Sequence, residues 1–269
     1  MQVKEIVVRY SRANSEFHKY PLGDMHFGTK HALEHELIKK VKVIKDDPTA
    51  SWIGMGDYGD FILPGDPRWE YDRDVFAEWL EQDNIADSQI DSIAEILRPI
   101  VDKCDGLLEG NHEWAISHHF HQNVIGKLCK QLGVDYLGYS CFVRYIFRRA
   151  NGESHQIIGH YEHGSGNCIT KGAKLNKLRR SMDAFEADIY GYAHMHDIIT
   201  DTKPYLTMDK RNHIWSAKKV GAVTGSWVTA YTQGLSPSYA ERKGYPPNSI
   251  GCPTFIIDPN EGRLEVQGG

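Results

Sequence analysis

The chain has 269 residues, of which 41% are hydrophobic and 25% charged, and its net charge is −5. These values are ordinary for a folded globular protein and exclude disordered, collagen-like and coiled-coil chains. A mildly acidic chain also gives no support for tight, sequence-independent binding to nucleic acid over its whole surface.

Two further absences narrow the class of protein. No apolar run reaches the roughly 18 residues that a membrane span requires, and the first residues, MQVKEIVVRYSR, contain a short apolar stretch without a small-residue cleavage site. We therefore expect a cytoplasmic protein without a membrane partner. The five cysteines are scattered and form no CxxC pair, which argues against a disulfide framework and against a structural zinc site.

The first half of the chain alternates predicted strands and helices. Apolar residues recur at helical spacing from Thr29 to about Ile44, and Asp46-Asp47-Pro48 ends that helix. In chain order the predictions are strands at 3–10 and 17–23, a helix at 29–44, a short strand ending at Asp57, a helical region at 69–101 and a strand within 106–113.

The second half contains more strands in succession. Asn151-Gly152 lies between two apolar runs, which predicts a β-hairpin of residues 141–147 and 155–163. The other predictions are a helical stretch at 112–132, a helix at 171–185, a strand at 188–196 and a final hairpin at 255–266. Strand–helix alternation followed by such a meander predicts two packed sheets flanked by helices, in a single domain spanning residues 1–269.

Five polar clusters lie at the ends of predicted strands or in the loops that follow them. Loops at the carboxyl ends of strands converge on one crevice in α/β proteins, and glycines beside the polar residues allow sharp turns. Each cluster alone has a structural interpretation, such as a turn aspartate, a helix N-cap or a surface histidine. The clusters are Asp24-Met25-His26, Gly56-Asp57-Tyr58-Gly59-Asp60, Gly110-Asn111-His112-Glu113, His163, and His194-Met195-His196.

The residue types in these clusters predict a dinuclear metal centre. Mixed oxygen and nitrogen ligands without thiolate suit Mn²⁺, Fe, Zn²⁺ or Ni²⁺ better than Ca²⁺. Seven ligands are too many for one tetrahedral ion, but they suit two ions about 3.5–4 Å apart that share a carboxylate. The predicted ligands are Asp24, His26, Asp57, Asn111, His163, His194 and His196.

The order of the motifs resembles that of the calcineurin-like metallophosphoesterase superfamily. DxH, GDxxD, GNH(D/E), a later single His and HxH follow one another between residues 24 and 196. The length of the chain and its HGSG loop are similar to the phage- and prophage-type members. One position departs from the family pattern, because Ala193 stands where the family's GHxH motif has glycine.

This resemblance implies a four-layer α/β/β/α sandwich and hydrolysis of a phosphate ester. In the family, the nucleophile is a hydroxide that bridges two metal ions. For this chain we expect Mn²⁺ first. His112 would stabilise the transition state or protonate the leaving group, and Asp60 would orient its ring. The implied ligands are Asp24, His26 and His196 for the first ion, Asn111, His163 and His194 for the second, and Asp57 for both.

The substrate is the least determined part of the prediction. The GNHE cluster favours a phosphodiesterase acting on a nucleic acid or a nucleotide, but the same motifs occur in phosphomonoesterases, including protein phosphatases. A third hypothesis is a non-catalytic scaffold that has kept the fold. The presence of all seven predicted ligands and of His112 argues against it. The formation of a homo-oligomer stays open.

Three other groups have a structural and a functional interpretation. His118, His119 and His121 are predicted to lie on a solvated helix face. The basic segment 171–180 is predicted to be the solvated face of an amphipathic helix, with phosphate contact as the alternative. For the loop that carries Trp227, Tyr231, Tyr239 and Tyr245, a core or subunit interface is favoured over a lid or a base-stacking surface.

Overall fold

A computed structural model of the chain describes residues 1–12, 15–66, 69 and 76–268. No helix within these ranges is long and apolar enough to cross a membrane. The strands are β1 Gln2–Tyr10, β2 Phe17–Leu22, β3 Ala50–Gly54, β4 Cys104–Leu107, β5 Ser140–Arg149, β6 Ser154–Glu162, β7 Ile189–Tyr192, β8 Ile199–Met208, β9 Ile214–Val223, β10 Thr254–Asp258 and β11 Arg263–Gln267. The helices are α1 Glu34–Asp46, α2 Ile85–Leu97, α3 Asn111–Phe120, α4 Val124–Leu132, α5 Lys171–Ala184 and α6 Tyr239–Arg242.

The strands form two mixed sheets. The first has the order β1-β5-β6-β7-β9-β8, in which β6, β7 and β9 are parallel to one another. The second has the order β11-β10-β2-β3-β4, in which β2, β3 and β4 are parallel. The predicted hairpin around Asn151-Gly152 is confirmed, since β5 and β6 pair antiparallel on either side of it.

Three hydrophobic clusters separate four layers. The cluster between the sheets includes Ile53, Tyr161 and Phe255. A second cluster packs α1, α2 and α4 on the outer face of the β2-β3-β4 sheet, and a third packs α5 on the outer face of the other sheet. The predicted α/β/β/α sandwich of two mixed sheets flanked by helices is therefore confirmed.

Two predicted helices begin later than the periodicity indicates. Residues 29–33 do not join α1, because their backbone pairs with a distant segment: Ala32 bridges Val228, and Leu33 N–H donates to the Trp227 carbonyl. The region predicted as helical from residue 69 contains turns before α2 begins at Ile85. Residues 70–75 of that prediction lie outside the described residues.

Two other predicted elements also differ from the structure. The stretch 112–132 is two helices, because His121 takes a left-handed conformation (φ 55°) that ends α3. The predicted strand 188–196 stops at Tyr192, so its histidines lie in the loop beyond the strand. The β8–β9 hairpin was not predicted as a unit; it pairs from Ile199–Val223 to Met208–Ile214.

A buried histidine of the first sheet predicts a pH dependence of stability. His160 is fully buried, its ring stacks on Phe185 with 4.0 Å between centroids, and its Nδ1 lies 3.2 Å from Ser181 Oγ. Burial lowers the pKa of His160 to about 4, from an ordinary value of 6.5. The unfolded state therefore binds a proton at His160 more readily than the folded state does. The contribution of neutral His160 to the free energy of unfolding is fully present above pH 6.5 and is lost as the pH falls towards 4, and it amounts to at most about 3 kcal/mol.

We expect the His160→Gln variant to lose less stability than the wild type between pH 7 and pH 4.5. Urea unfolding of the metal-free protein at a series of pH values measures this difference. His35→Gln is the matched control, because His35 is an exposed histidine on α1. If the free energies of unfolding of the wild type and of His160→Gln fell equally between pH 7 and pH 4.5, the prediction would be contradicted.

Candidate metal centre

The five predicted clusters come together at one edge of the sandwich. Three follow the carboxyl ends of the parallel strands β2, β3 and β4, and two follow those of β6 and β7 in the other sheet. Each sheet therefore presents its loops to the same crevice, as parallel strands do at their carboxyl ends. Residues separated by 170 positions are in contact there: His194 N–H donates to Asp24 Oδ2 at 3.0 Å.

Asp24, His26 and His196 form the first group of potential ligands. The Nε2 atoms of His26 and His196 are 3.0 Å apart, and His196 Nε2 lies 3.3 Å from Asp24 Oδ1. Two imidazole nitrogens facing each other at this distance require a proton or a cation between them. Asp24 is fully buried, and Thr224 Oγ1 donates to its Oδ2 at 3.3 Å.

Asp57, His163 and His194 form the second group, which Asn111 adjoins. His163 Nδ1 donates to the Met55 carbonyl at 2.7 Å. In the neutral imidazole its Nε2 therefore presents a lone pair, 3.0 Å from Asn111 Oδ1 and 3.3 Å from Asp57 Oδ2. Three acceptors that converge in this way are suited to a cation.

Asp57 lies between the two groups. Its Oδ2 is 3.3 Å from His163 Nε2 and 4.0 Å from His26 Nε2, and its Oδ1 accepts the His112 N–H at 2.9 Å. One carboxylate thus touches a potential ligand of each ion, which is the position that a bridging ligand must occupy.

The backbone at the site is held in unfavourable conformations. Non-glycine residues rarely adopt positive φ, yet five of the seven predicted ligands do. Close packing also requires glycine: a methyl group at Gly110 would lie 2.1 Å from Asp57 Oδ1, and one at Gly56 would lie 2.6 Å from the Gly110 nitrogen. The five predicted ligands with positive φ are Asp24 (φ 51°), His26 (49°), Asp57 (53°), His194 (71°) and His196 (49°).

The carboxylates give the centre a strong negative potential. Burial lowers the pKa of a histidine, but Asp60, Asp57 and Asp24 outweigh that effect at His26 and raise its pKa to about 9. Asp57 and Asp24 likewise raise the pKa of His163 to about 9 against the effect of its burial. A site that attracts protons this strongly also attracts divalent cations.

The residues present therefore fit a pair of metal ions. Within the described part of the chain, Asp24 Oδ1 and His194 Nδ1 are buried and have no hydrogen-bond partner. Buried polar atoms are nearly always satisfied, so these two atoms indicate a ligand that completes them. Oxygen and imidazole donors without thiolate are suited to Mn²⁺, Fe, Zn²⁺ or Ni²⁺.

His112 and Asp60 lie beside the ligands, in contact with them. His112 Nδ1 donates to the main-chain carbonyl of Asp60 at 2.7 Å, and its ring meets that of His26 edge-on at 4.7 Å. The Asp60 carboxylate is 3.0 Å from His26 Nδ1 but 3.9 Å from His112 Nδ1. Asp60 thus holds His112 through its backbone and His26 through its side chain.

Sequence reasoning did not identify the role of Glu113. This fully buried carboxylate accepts the backbone N–H groups of Asp57 (2.9 Å), Tyr58 (2.7 Å) and Gly110 (2.8 Å). It therefore joins the loop after β3 to the start of α3. Burial, followed by repulsion from Asp57, raises the pKa of Glu113 to about 7. Its place three residues after Gly110, as in a capping box, is a sequence feature that could have indicated this role.

Two more contacts have no signature in the sequence. Thr224, directly after β9, contacts Asp24 as described above. Asp197 accepts from Ser249 Oγ at 2.6 Å and pairs with the buried Lys174 at 3.4 Å, which fastens the loop after β7 to α5 and to the C-terminal region. Ala193 is buried in the core between the sheets, and the next residue, His194, has a positive φ.

A cleft of about 370 Å³ opens beside the centre. Five of the seven predicted ligands, all except Asp24 and His163, line one wall together with Asp60 and His112. Its other walls come from residues 28–31, 166–169 and 228–248. They include the apolar groups of Ile169, Tyr239 and Tyr245. Among the described lining residues, Lys174 is the one that carries an ammonium group, and Asp197 neutralises it.

The three groups left open by the sequence are placed as follows. His118 and His119 are exposed on α3, where His118 stacks on Trp114 at 4.7 Å. In the basic segment, Arg179 pairs with Asp201 at 2.9 Å, while Lys171 is exposed. Of the aromatic loop, Trp227 is buried, Tyr231 and Tyr239 are exposed, and Tyr239 and Tyr245 line the cleft.

Comparisons with known proteins are sparse. No protein-family model and no curated protein matches the chain. Among solved structures, it is similar to a metallophosphoesterase from Sphaerobacter thermophilus, with 11% sequence identity and a TM-score of 0.40, over 94% of this chain and 87% of that chain. This level of similarity assigns no function and no residue role to the chain.

Proposed function

We propose that the chain is a metal-dependent phosphoesterase that cleaves phosphodiesters. The observation that carries this proposal is the position of Asp57, which touches both groups of potential ligands. Asp24, His26 and His196 would hold one ion and Asn111, His163 and His194 the other, and such ions would supply Lewis-acid activation of the phosphoryl group and of a water molecule. Mn²⁺ is the ion that we propose first.

The protein side chains would divide the remaining tasks. His112 would donate a proton to the leaving oxygen or stabilise charge on the phosphoryl oxygens. The contact of its Nδ1 with the Asp60 carbonyl fixes the ring, so that its imidazolium form would donate from Nε2. Asp60 would position both His112 and His26, and Glu113 would hold the loop that carries Asp57.

The cleft supports a diester over a monoester. A phosphomonoester is a dianion near neutral pH, and beyond the proposed ions the described lining residues offer it no unpaired ammonium group, because Asp197 neutralises Lys174. A diester carries a single charge and a second substituent, for which the walls around Ile169 and Tyr239 offer apolar surface. A cleft of about 370 Å³ has room for a small diester such as a cyclic nucleotide.

We expect His112→Ala to lower turnover of bis-p-nitrophenyl phosphate by about 10²–10⁴-fold, the usual contribution of an acid–base residue. The measurement compares this diester with p-nitrophenyl phosphate in the presence of Mn²⁺. His118→Ala is the matched control, because His118 is an exposed histidine on the same helix. The metal content of His112→Ala should equal that of the wild type.

The outcomes separate the hypotheses. A preference for the monoester would keep the metal-dependent chemistry and make the protein a phosphatase. Turnover that His112→Ala leaves unchanged would remove His112 from the reaction. No turnover of either ester by a fully metal-loaded wild type would favour the scaffold hypothesis over an enzyme acting on simple esters.

A further inference from the structure

Strand β1 is an open edge of the six-stranded sheet. It pairs with β5 on one side, in parallel register from Gln2–Cys141 to Tyr10–Arg149, and no strand of the described chain pairs with its other side. The strand has nine residues in continuous register and contains no proline, which is long for an edge. Such an edge presents a row of backbone N–H and C=O groups with which a further strand can pair.

The other edges of the two sheets carry features that block pairing. β8 contains Pro204, which has no N–H to donate. β4 and β11 have only four and five residues, and a bridge from Leu107 to Tyr136 occupies the outer side of β4. An exposed lysine also protects an edge, but Lys4 of β1 donates to Asp135 of its own chain. β1 is therefore the edge of this fold that is best suited to pairing.

The backbone hydrogen bonds of β1 show which residues face its open side. The Tyr10 carbonyl accepts the Ala150 N–H at 2.9 Å and therefore points towards β5. In a parallel pair of strands, alternate residues direct both backbone groups to the neighbouring strand. The even-numbered residues of 4–10 thus bond to β5, whereas the odd-numbered residues of 3–9 direct their N–H and C=O groups outward.

We propose that β1 pairs antiparallel with β1 of a second copy of this chain, about a two-fold axis at Val7. A two-fold axis makes one edge its own partner, and it would join the two six-stranded sheets into one. Outward-directed groups meet only where odd-numbered residues lie opposite odd-numbered residues, and an axis at Val7 satisfies this condition. Glu5, Val7 and Arg9 of the two copies would then form about six backbone hydrogen bonds.

The charged side chains select this register from the others that the backbone allows. With the axis at Val7, Glu5 of each copy lies opposite Arg9 of the other, on the same face of the sheet. An axis at Glu5 would place the two carboxylates opposite each other. An axis at Ile6 would place Glu5 opposite Val7 and Arg9 opposite Val3, so that neither charge would meet its opposite.

The neighbouring strand also favours the pairing of Glu5 with Arg9. In the parallel register Arg9 lies next to Arg148 of β5, so one chain places two guanidinium groups side by side. Glu5 lies 3.6 Å from Arg144 through one of its two oxygens, and both side chains are about half exposed. A second copy would therefore bring a carboxylate to the pair of guanidinium groups, where a single chain has like charges as neighbours.

Apolar side chains match in the same register. On the outer face, Val7 is 40% exposed and would lie opposite Val7 of the second copy. On the inner face, Ile6 would lie opposite Val8 of the second copy, and both residues pack at the margin of the hydrophobic cluster between the sheets. Pairing would therefore continue this cluster across the two-fold axis.

Sedimentation equilibrium of the full chain up to about 100 µM tests the proposal. We expect a dimer for the wild type, and a dissociation constant at least about 10-fold higher for Val7→Lys, because two ammonium groups would lie opposite each other. Val3→Lys is the matched control: it adds the same charge to the same face at a residue that is 76% exposed, but opposite Ser11 near the end of the pairing. Circular dichroism checks that each variant is folded.

A charge exchange tests the register. Glu5→Arg and Arg9→Glu should each raise the dissociation constant at least about 10-fold, because each places like charges opposite one another at two symmetric positions. The combined variant should recover the wild-type value. Within one chain the exchange keeps the balance of neighbouring charges, because Arg144 and Arg148 lie beside the two positions.

The outcomes separate the pairing of β1 from its register. A wild type that stays monomeric at about 100 µM, or a Val7→Lys variant that dimerises as the wild type does, would overturn the proposal. A combined charge variant that stays as weak as the single variants would overturn the axis at Val7. None of these results depends on bound metal or on hydrolysis, so they leave the proposed function to its own test.

Discussion

Replacing Asp57 by asparagine should lower kcat/KM for a diester by at least about 10³-fold, equivalent to about 4 kcal/mol of transition-state stabilisation. Asp57 is buried, and its carboxylate touches His26 of one ligand group and His163 of the other. The substitution keeps the size of the side chain but removes the charge that both ions would share. Hydrolysis of bis-p-nitrophenyl phosphate with Mn²⁺ measures the effect.

Metal content gives a second, independent measure of this variant. We expect Asp57→Asn to retain fewer ions per chain than the wild type after gel filtration. Asp87→Asn is the control, because that carboxylate pairs with Lys127 at the surface of α2. Wild-type turnover and metal content in Asp57→Asn would show that this carboxylate does not bridge the centre.

Replacing Glu113 by alanine should lower the free energy of unfolding and also disorder the loop that carries Asp57. Three backbone N–H groups, of Asp57, Tyr58 and Gly110, would lose their acceptor in a buried place. Each such loss costs about 1–3 kcal/mol, so we expect a total of at least about 3 kcal/mol. For a chain of this size, the melting temperature should fall by about 6–12 °C.

Thermal unfolding of the metal-free protein tests this prediction without reference to activity. Glu109→Ala is the matched control, because Glu109 lies four residues earlier and accepts the Tyr136 hydroxyl at the surface. Glu113→Ala with the melting temperature of the control would mean that other groups satisfy the three N–H donors. If stability falls while metal binding persists, Glu113 supports the fold but does not order the loop of Asp57.

The convergence of the predicted ligands could be expected from the sequence because each follows an apolar strand. Strand, glycine and polar residue occur together in Gly56-Asp57 and Gly110-Asn111, so local pattern and tertiary position agree. His194 and His196 were assigned to a strand by alternation, yet they lie beyond its end in left-handed conformations. The packing of the loops imposes those conformations, and this packing cannot be predicted from alternation along the chain.

The remaining parts of the site depend on long-range contacts. Thr224 contacts Asp24 across 200 positions, and the segment near Trp227 pairs with residues 29–33 in place of a helical turn. Neither has a periodic pattern or motif, since each is specified by partners that are distant along the chain. The helix predicted from Thr29 was wrong at its start for this reason: tertiary pairing outweighed local propensity.

The distribution of the predicted ligands over both sheets also bears on the order of folding. Asp24 and Asp57 follow strands of one sheet, while His163 and His196 follow strands of the other, so the centre exists only after the two sheets have packed. Contacts between such distant positions form late and slow the folding of a chain. An ion that binds only the completed arrangement would leave the folding rate nearly unchanged and slow unfolding. Metal would thus lengthen the lifetime of the native protein and would not guide its formation.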